Sequence, residues 1–137
     1  MPVYMLDTDI SSYIMKRSHA AVLHRLQSVE VAEVSISAIT KCELLFGVEL
    51  SPQRQRDEGA LRAFLRHVEA LDFSAGAALD YARIRADLKL RGALIGANDL
   101  LIAAHALSLG LILVTNNAGE FGRVKGLKVE NWTESPV

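Results

Sequence analysis

The sequence has little of what marks secreted, membrane-spanning or nucleic-acid-coating proteins. One cysteine, Cys42, stands among 137 residues, so no intramolecular disulfide framework is possible and a reducing compartment is expected. The opening MPVYMLDTD has no basic start and no long apolar run, and acids arrive by residue 7, which argues against a signal peptide. The longest apolar-looking stretch, around Leu100 to Leu107, is interrupted by His105 and is too short to cross a bilayer. A cytoplasmic chain with no membrane partner is therefore expected. Charge of one sign is also missing: 15 Lys and Arg face 16 Asp and Glu, for a net charge of −1. That balance argues against a strongly basic coat for nucleic acid but does not exclude a nucleic-acid substrate. The four histidines (His19, His24, His67, His105) have no ligand spacing, which with a single cysteine disfavours zinc and leaves them as surface or helix-face residues. No repeat, low-complexity stretch or linker-like shift interrupts the chain, so one domain is expected over residues 1–137, its ordered core covering about 2–132.

What is present is apolar residues in quantity. Half of the chain is hydrophobic, which excludes intrinsic disorder and lets a domain of this size bury a core without disulfides or structural metal. Val3 to Leu6 and Val34 to Ile36 are short β-prone runs of the kind found in buried parallel strands, and Leu111 to Val114 is the clearest strand. Between them the pattern predicts a helix opening at Ser18, with Val22, Leu23 and Leu26 on one face. A second is capped by Ser37 and reaches Phe46, with Gly47 as its stop. Ser51-Pro52 marks a further start, followed by the helical stripe Leu61, Phe64, Leu65, Val68 and Leu71. Leu71 to Phe73 reads as a short strand, Ser74 caps a long helix to about Arg91, and Asp99 to Leu109 is a buried helix ended by Gly110. Leu127 to Glu130 reads as an edge strand. Strands alternating with helices make βαβ units, so the expected fold class is an α/β/α sandwich on a parallel sheet of four or five strands.

In such a sheet, ligands bind at the carboxyl ends of the strands. Asp7 directly follows the first strand and Asp9 lies two residues on; either also suits an N-cap. Thr115, Asn116 and Asn117 directly follow the strand ending at Val114, where they equally suit capping of a turn. Glu43 falls between Ile39 and Phe46 on the helical wheel, beside Cys42 and away from Lys41; an acid in an apolar stripe is costly unless paired or bound to a cation. Asp99, after Gly96-Ala97-Asn98, opens the most apolar helix, where Asn98 or Asp99 could serve as a cap. Taken together, these residues suggest carboxylates from distant positions collecting at one sheet edge. Such a cluster needs a counter-charge, and no lysine or arginine recurs at these positions. A hard divalent cation on oxygen ligands, Mg²⁺ or Mn²⁺, is the simplest solution and suits phosphoryl-transfer hydrolysis. Without Asp7, Glu43 and Asp99 the formal charge of −1 becomes +2. Two basic sets, Arg54, Arg56, Arg62 and Arg66, then Arg83, Arg85, Lys89 and Arg91, are candidates for phosphate contact or for helix-surface ion pairs.

Met5-Leu6-Asp7-Thr8-Asp9 and Ser35 through Gly47 (SISAITKCELLFG) resemble the first two motifs of PIN-domain nucleases. Ile95 through Ala106 (IGANDLLIAAHA) resembles the third, and Leu113-Val114-Thr115-Asn116-Asn117 with Glu120-Phe121 the fourth. Order, spacing and length match over essentially the whole chain, and within the family the sequence is similar to the VapC-type toxins of VapBC (type II) toxin–antitoxin modules. The resemblance implies a Mg²⁺- or Mn²⁺-dependent endoribonuclease with Asp7, Glu43 and Asp99 as metal ligands. Thr115 and Asn117 would join them in catalysis, and Asp9, Glu120 and Asn116 would be accessory. Many family members carry an acid where this chain has Asn117; asparagine adds no charge, and Glu120 is a candidate substitute. The resemblance further implies a tRNA or rRNA target, with initiator tRNA suggested by the VTNN form of the fourth motif, and a VapB-type antitoxin partner.

Two competing readings exist. Asp7-Thr8-Asp9-Ile10-Ser11 also fits the D-x-D-x-[ST] start of haloacid-dehalogenase-type phosphatases, but only 22 residues follow Thr115, too few for the rest of that machinery. A PIN-fold binding module without catalysis would be expected to have lost one of the three central acids. Finally, the Ser74–Arg91 helix carries two apolar stripes, Leu79-Ala82-Ala86 and Tyr81-Ile84-Leu88; one can face the sheet while the other suits a homodimer.

Overall fold

The short apolar runs pair with one another at the centre of a sheet, where both faces are covered and a strand can be hydrophobic throughout. Tyr4–Leu6 (β1), Val34–Ser37 (β2), Glu69–Leu71 (β3), Ile112–Val114 (β4) and Val129–Glu130 (β5) run parallel in the order β3-β2-β1-β4-β5. The structure, a computed structural model, describes residues 1–134; residues 135–137, which the single-domain expectation includes, lie outside the described residues. The helices are Thr8–Lys16 (α1), Ala20–Gln27 (α2), Ala38–Leu50 (α3), Arg54–His67 (α4), Ala75–Leu90 (α5), Ala97–Leu109 (α6) and Ala118–Phe121 (α7).

Successive strand residues point to opposite faces, and this alternation splits the core in two. Leu6, Val34, Ile36 and Val114 pack with Ile10, Val22, Leu44, Val48, Leu61 and Phe64, so α1 to α4 cover one face. Met5 and Leu113 pack with Ile84, Leu88, Leu100, Ile102, Ala103 and Phe121, so α5 and α6 cover the other. The result is the α/β/α sandwich, with five strands. Because β2 and β4 both flank β1, the strand order reverses between β1 and β4, and that reversal opens a crevice at the carboxyl ends of these two strands.

The sequence-based boundaries need several corrections. Gly47 does not stop α3, which runs on to Leu50. The stripe from Leu61 to Leu71 is not one helix: α4 ends at His67, and Val68 already has extended backbone leading into β3. β3 therefore precedes Asp72 and Phe73, where a strand was expected. After Ser51-Pro52 the chain needs one more turn, so α4 starts at Arg54 with Gln53 at its cap. His19, not Ser18, caps α2. α6 begins two residues earlier than expected, with Gly96 at its cap, which places Asn98 and Asp99 inside the first turn. His105 is fully buried, so it is not a surface residue. On α5 the Tyr81-Ile84-Leu88 stripe faces the core, whereas Leu79, Ala82 and Ala86 are exposed.

Leu113 has no exposed surface and Leu90 is 88% exposed. Leu113→Ala is expected to cost about 2–5 kcal/mol of unfolding free energy, and Leu90→Ala less than about 0.5 kcal/mol. Urea unfolding of the two variants measures both values.

Candidate active site

The register of β1 and β4 builds the centre of the site. Leu6 lies opposite Val114, so the next residues, Asp7 and Thr115, emerge side by side at the crevice; Asp7 N–H donates to the Val114 carbonyl at 2.9 Å. Asp7 leaves its strand with extended backbone and caps α1, its Oδ1 accepting from Ile10 N–H at 2.9 Å. It is therefore both a cap and a member of the site, and it is 6% exposed. Burial pushes its pKa up to about 6; hydrogen bonding from Thr115 and Ile10 opposes the rise, and the charges of Asp9 and Glu43 add to it.

α6 presents Asp99 from its first turn, half-buried beside Gly96. Burial pushes the Asp99 pKa up to about 6 as well, followed by the charges of Glu120, Glu43 and Asp7. These mutual effects place Asp7, Glu43, Asp99 and Glu120 within one electrostatic neighbourhood. Among the described residues, no lysine, arginine or histidine is within ion-pair distance of any of them.

Glu43 reaches the site by a different route from the one its wheel position suggested. The buried stripe of α3 is Thr40-Leu44-Val48, whereas Phe46 is 64% exposed. Glu43 is half-buried at the edge of that stripe, held by the side chains of two neighbouring helices. Thr8 Oγ1 donates to its Oε1 at 2.5 Å, and Asn98 Nδ2 to its Oε2 at 3.4 Å. Thr8 and Asn98 are site residues that the motif pattern alone does not single out. Thr8 stood in plain view between Asp7 and Asp9, whereas Asn98 was weighed only as a helix cap.

The fourth motif folds into a short turn. Thr115 is buried, and its Oγ1 accepts from Asn117 N–H at 2.9 Å, so it also acts as the turn-capping residue. Asn117 Nδ2 donates to Glu120 Oε2, whose other oxygen accepts from Gly96 N–H at 3.1 Å. Glu120 thus ties α7 to the loop that launches α6, and it stands where its charge bears on Asp99. Asn116 turns away, bonding the Tyr13 hydroxyl at 3.4 Å and accepting from Thr133 at 3.0 Å. Asp9 is exposed on α1 and borders, with Thr8, Glu43 and Lys16, a cleft of about 230 Å³ between α1, α3 and α4.

The first basic set is largely committed elsewhere: Arg54 pairs with Glu49 at 2.8 Å, Arg56 with Asp57 at 3.3 Å and Arg62 with Glu58 at 3.1 Å. Arg91 pairs with Asp87 at 2.6 Å. Such exposed pairs add little stability, and they weaken the reading of these arginines as free phosphate contacts.

Among the described residues, no three acid, imidazole or thiol side chains are already gathered closely enough to hold one ion. The donor set nevertheless fits a hard divalent cation, since Mg²⁺ keeps several of its waters and needs only one or two carboxylates. A nearby positive charge would offset the burial and like charges that raise the Asp7 and Asp99 pKa values.

A parallel sheet crossed at its switch point by carboxylates from three motifs defines a PIN domain, and the PIN-domain family pattern matches residues 4–127. The chain belongs to this family, and within it to the VapC ribonucleases, the toxins of VapBC toxin–antitoxin systems. It is 43% identical over 129 residues to ribonuclease VapC2 of Haemophilus influenzae, covering 94% of this chain and 97% of the relative. It is 39% identical over 130 residues to the tRNA(fMet)-specific endonuclease VapC of Shigella flexneri, covering 95% and 98%. Among solved structures, VapBC2 from Rickettsia felis bound to a promoter DNA fragment superposes with a TM-score of 0.89 at 37% identity, covering 95% of this chain and 98% of the other. DNA-bound VapBC from Salmonella typhimurium gives 0.90 at 36%, covering 96% and 99%. PIN nucleases are typically metal-dependent.

The raised pKa values make a signed prediction for the metal-free protein. An acid whose folded-state pKa lies above its unfolded value adds stability at low pH and loses it as pH rises through the folded value. Asp7 and Asp99 should therefore lower Tm as pH climbs from the model-peptide value of 3.8 through about 6. Asp7→Asn keeps a cap acceptor and should raise the metal-free Tm at neutral pH by on the order of a few degrees. Thermal melts across that range in EDTA, for wild type and variant, provide the check.

Proposed function

We propose that Asp7, Glu43 and Asp99 hold a Mg²⁺ ion, with Mn²⁺ able to replace it, and that the site cuts tRNA within its chain, initiator tRNA being the favoured target. The observation that carries this reading is the electrostatic one: burial and neighbouring acids raise the pKa values of Asp7 and Asp99, and among the described residues no base pairs with them. When bound, the divalent cation supplies charge to neutralise the scissile phosphate and lowers the pKa of a water. The chain's own residues do the rest. Thr115 hydrogen-bonds Asp7 and favours its ionised form against the burial that raises its pKa; Thr8 and Asn98 fix the Glu43 carboxylate. Asn117 orients Glu120, which takes the place of the fourth acid of other family members. Asp9 adds charge at the rim, and Asn116 anchors the C-terminal segment. The tRNA assignment is supported by the two relatives named tRNA(fMet)-specific endonucleases, at 39% and 36% identity.

The whole chain would act as a single PIN domain in the cytoplasm, where tRNA is found. No helix among the described residues is long and apolar enough to cross a membrane. A VapB-type antitoxin as partner is supported by the solved relatives, which are toxin–antitoxin complexes. A second copy of the chain would cover the exposed α5 stripe, where Leu79 is 55% exposed. Leu79→Asp should then give the light-scattering mass of one chain, where wild type at micromolar concentration gives two; a wild-type mass of one chain contradicts the dimer.

Purified, antitoxin-free protein is expected to cut initiator tRNA with Mg²⁺ and to stop in EDTA. Asp99→Asn should lower the rate by roughly 10²–10³. Asn117→Asp should tighten Mg²⁺ binding while lowering metal-free stability, because it sets a second charge against Glu120. Equal cleavage by Asp99→Asn and wild type at limiting Mg²⁺ would overturn the assignment; cleavage of every RNA alike would overturn the target alone.

A further inference from the structure

Glu43 on α3 and Asp99 on α6 reach the crevice from helices that cover opposite faces of the sheet. Two side-chain contacts tie these helices together. Near the crevice, Asn98 Nδ2 meets Glu43 Oε2 at 3.4 Å, a long and exposed bond. Deeper in, His105 Nδ1 meets Ser37 Oγ at 2.8 Å, and both residues have no exposed surface. Six residues separate Ser37 from Glu43 and seven separate Asn98 from His105, so the deeper contact lies roughly 9–10 Å along both helices from the carboxylates.

Ser37 caps α3, its Oγ accepting from Ile39 N–H at 3.0 Å, so its own hydrogen is free to point at the imidazole. With the imidazole neutral, the bond forms in either tautomer: Nδ1 accepts that hydrogen, or Nδ1–H donates to the second lone pair of Oγ. Burial pushes the His105 pKa below the ordinary imidazole value, and the main-chain carbonyl and the charge of Asp72 push the other way; among the described residues Nε2 has no partner in good hydrogen-bond geometry. The Phe73 ring meets the imidazole edge to face, 5.4 Å between centroids. A buried polar pair with one ring nitrogen left unpartnered is a poor way to stabilise a core in which α6 otherwise buries Ile102, Ala103, Ala104 and Ala106. What it does accomplish is geometric: it fastens the cap of the Glu43 helix to the flank of the Asp99 helix.

We infer that His105 is a positioning residue, which through Ser37 sets the separation of the Glu43 and Asp99 carboxylates and so the affinity of the site for a divalent cation. This rests on the assignment of those two acids to the metal site. The test is a Mg²⁺ titration read by the shift in Tm, alongside RNA-cleavage kinetics, for wild type, His105→Leu, His105→Asn and Ser37→Ala. Asparagine can place an oxygen where Nδ1 stands; leucine cannot. His105→Leu and Ser37→Ala should each raise the Mg²⁺ concentration for half of the Tm shift by about ten-fold, with KM for RNA nearly unchanged, while His105→Asn stays within about three-fold of wild type. If His105→Leu binds Mg²⁺ as wild type does, or if His105→Asn falls as far as His105→Leu, the inference is wrong. Should His105→Leu fail to melt cooperatively, Ser37→Ala against His105→Asn decides by the same criterion. A wild type that shows the Mg²⁺-dependent Tm shift but cuts no RNA removes the endoribonuclease reading and leaves this inference to stand or fall on the melts.

Discussion

The burial of carboxylates at a sheet switch point, with like charges close by, is the constraint on which the rest of this structure depends. Asp7 is fixed there by the register of β1 against β4 and by its duty as the cap of α1, so it cannot move away from the other acids without cost to the fold. Asp99 arrives from the far side of the sheet on α6, and each carboxyl is pushed up to about 6 by burial and by its neighbours. A cluster arranged this way is disfavoured in its charged form and would be relieved by a counter-charge. The metal-free protein therefore sacrifices stability for a preformed negative crevice, as functional sites commonly do.

The polar residues around the acids are arranged to hold this charge in place. Thr8, Asn98, Thr115 and Asn117 are short neutral side chains, each of which bonds a carboxylate or the turn behind it. A lysine or arginine at any of these places would quench the crevice and compete with the ion. Surface arginines on α4 and at the end of α5 find acid partners of their own at the surface, which keeps them out of the site. Glu120 is the exception to the short-and-neutral pattern, and its two hydrogen bonds, from Asn117 and from Gly96, are what join the fourth motif to the third.

Much of this was legible in the sequence. The apolar runs before Asp7 and Thr115 announced buried parallel strands, and their alternation with helices gives the fold class with four or five strands, of which the structure has five. Helix ends were less legible, because Gly47 and the Leu61–Leu71 stripe are local signals that tertiary packing overrode: α3 continues past its glycine, and Val68 through Leu71 belong to a strand pairing with β2. Glu43 was noticed for a reason the structure revises. Its apolar wheel neighbours Ile39 and Phe46 suggested a buried stripe, yet the buried stripe lies one position on, at Thr40, Leu44 and Val48. The partners of Glu43 could not be read from spacing, since Thr8 and Asn98 lie 35 and 55 residues away. His105 was read as an ordinary histidine of a helix face, because nothing local reveals that Ser37 stands opposite.

The central claim is that the acids of the crevice hold one divalent cation, and paramagnetic broadening by substoichiometric Mn²⁺ in amide-resolved NMR spectra tests it most directly. The account predicts that the first amides to broaden are those of Asp7, Thr8, Asp99, Leu100 and Thr115, that Mg²⁺ restores them, and that Asp7→Asn abolishes the effect. Broadening centred elsewhere on the chain, or broadening that persists unchanged in Asp7→Asn, would contradict it.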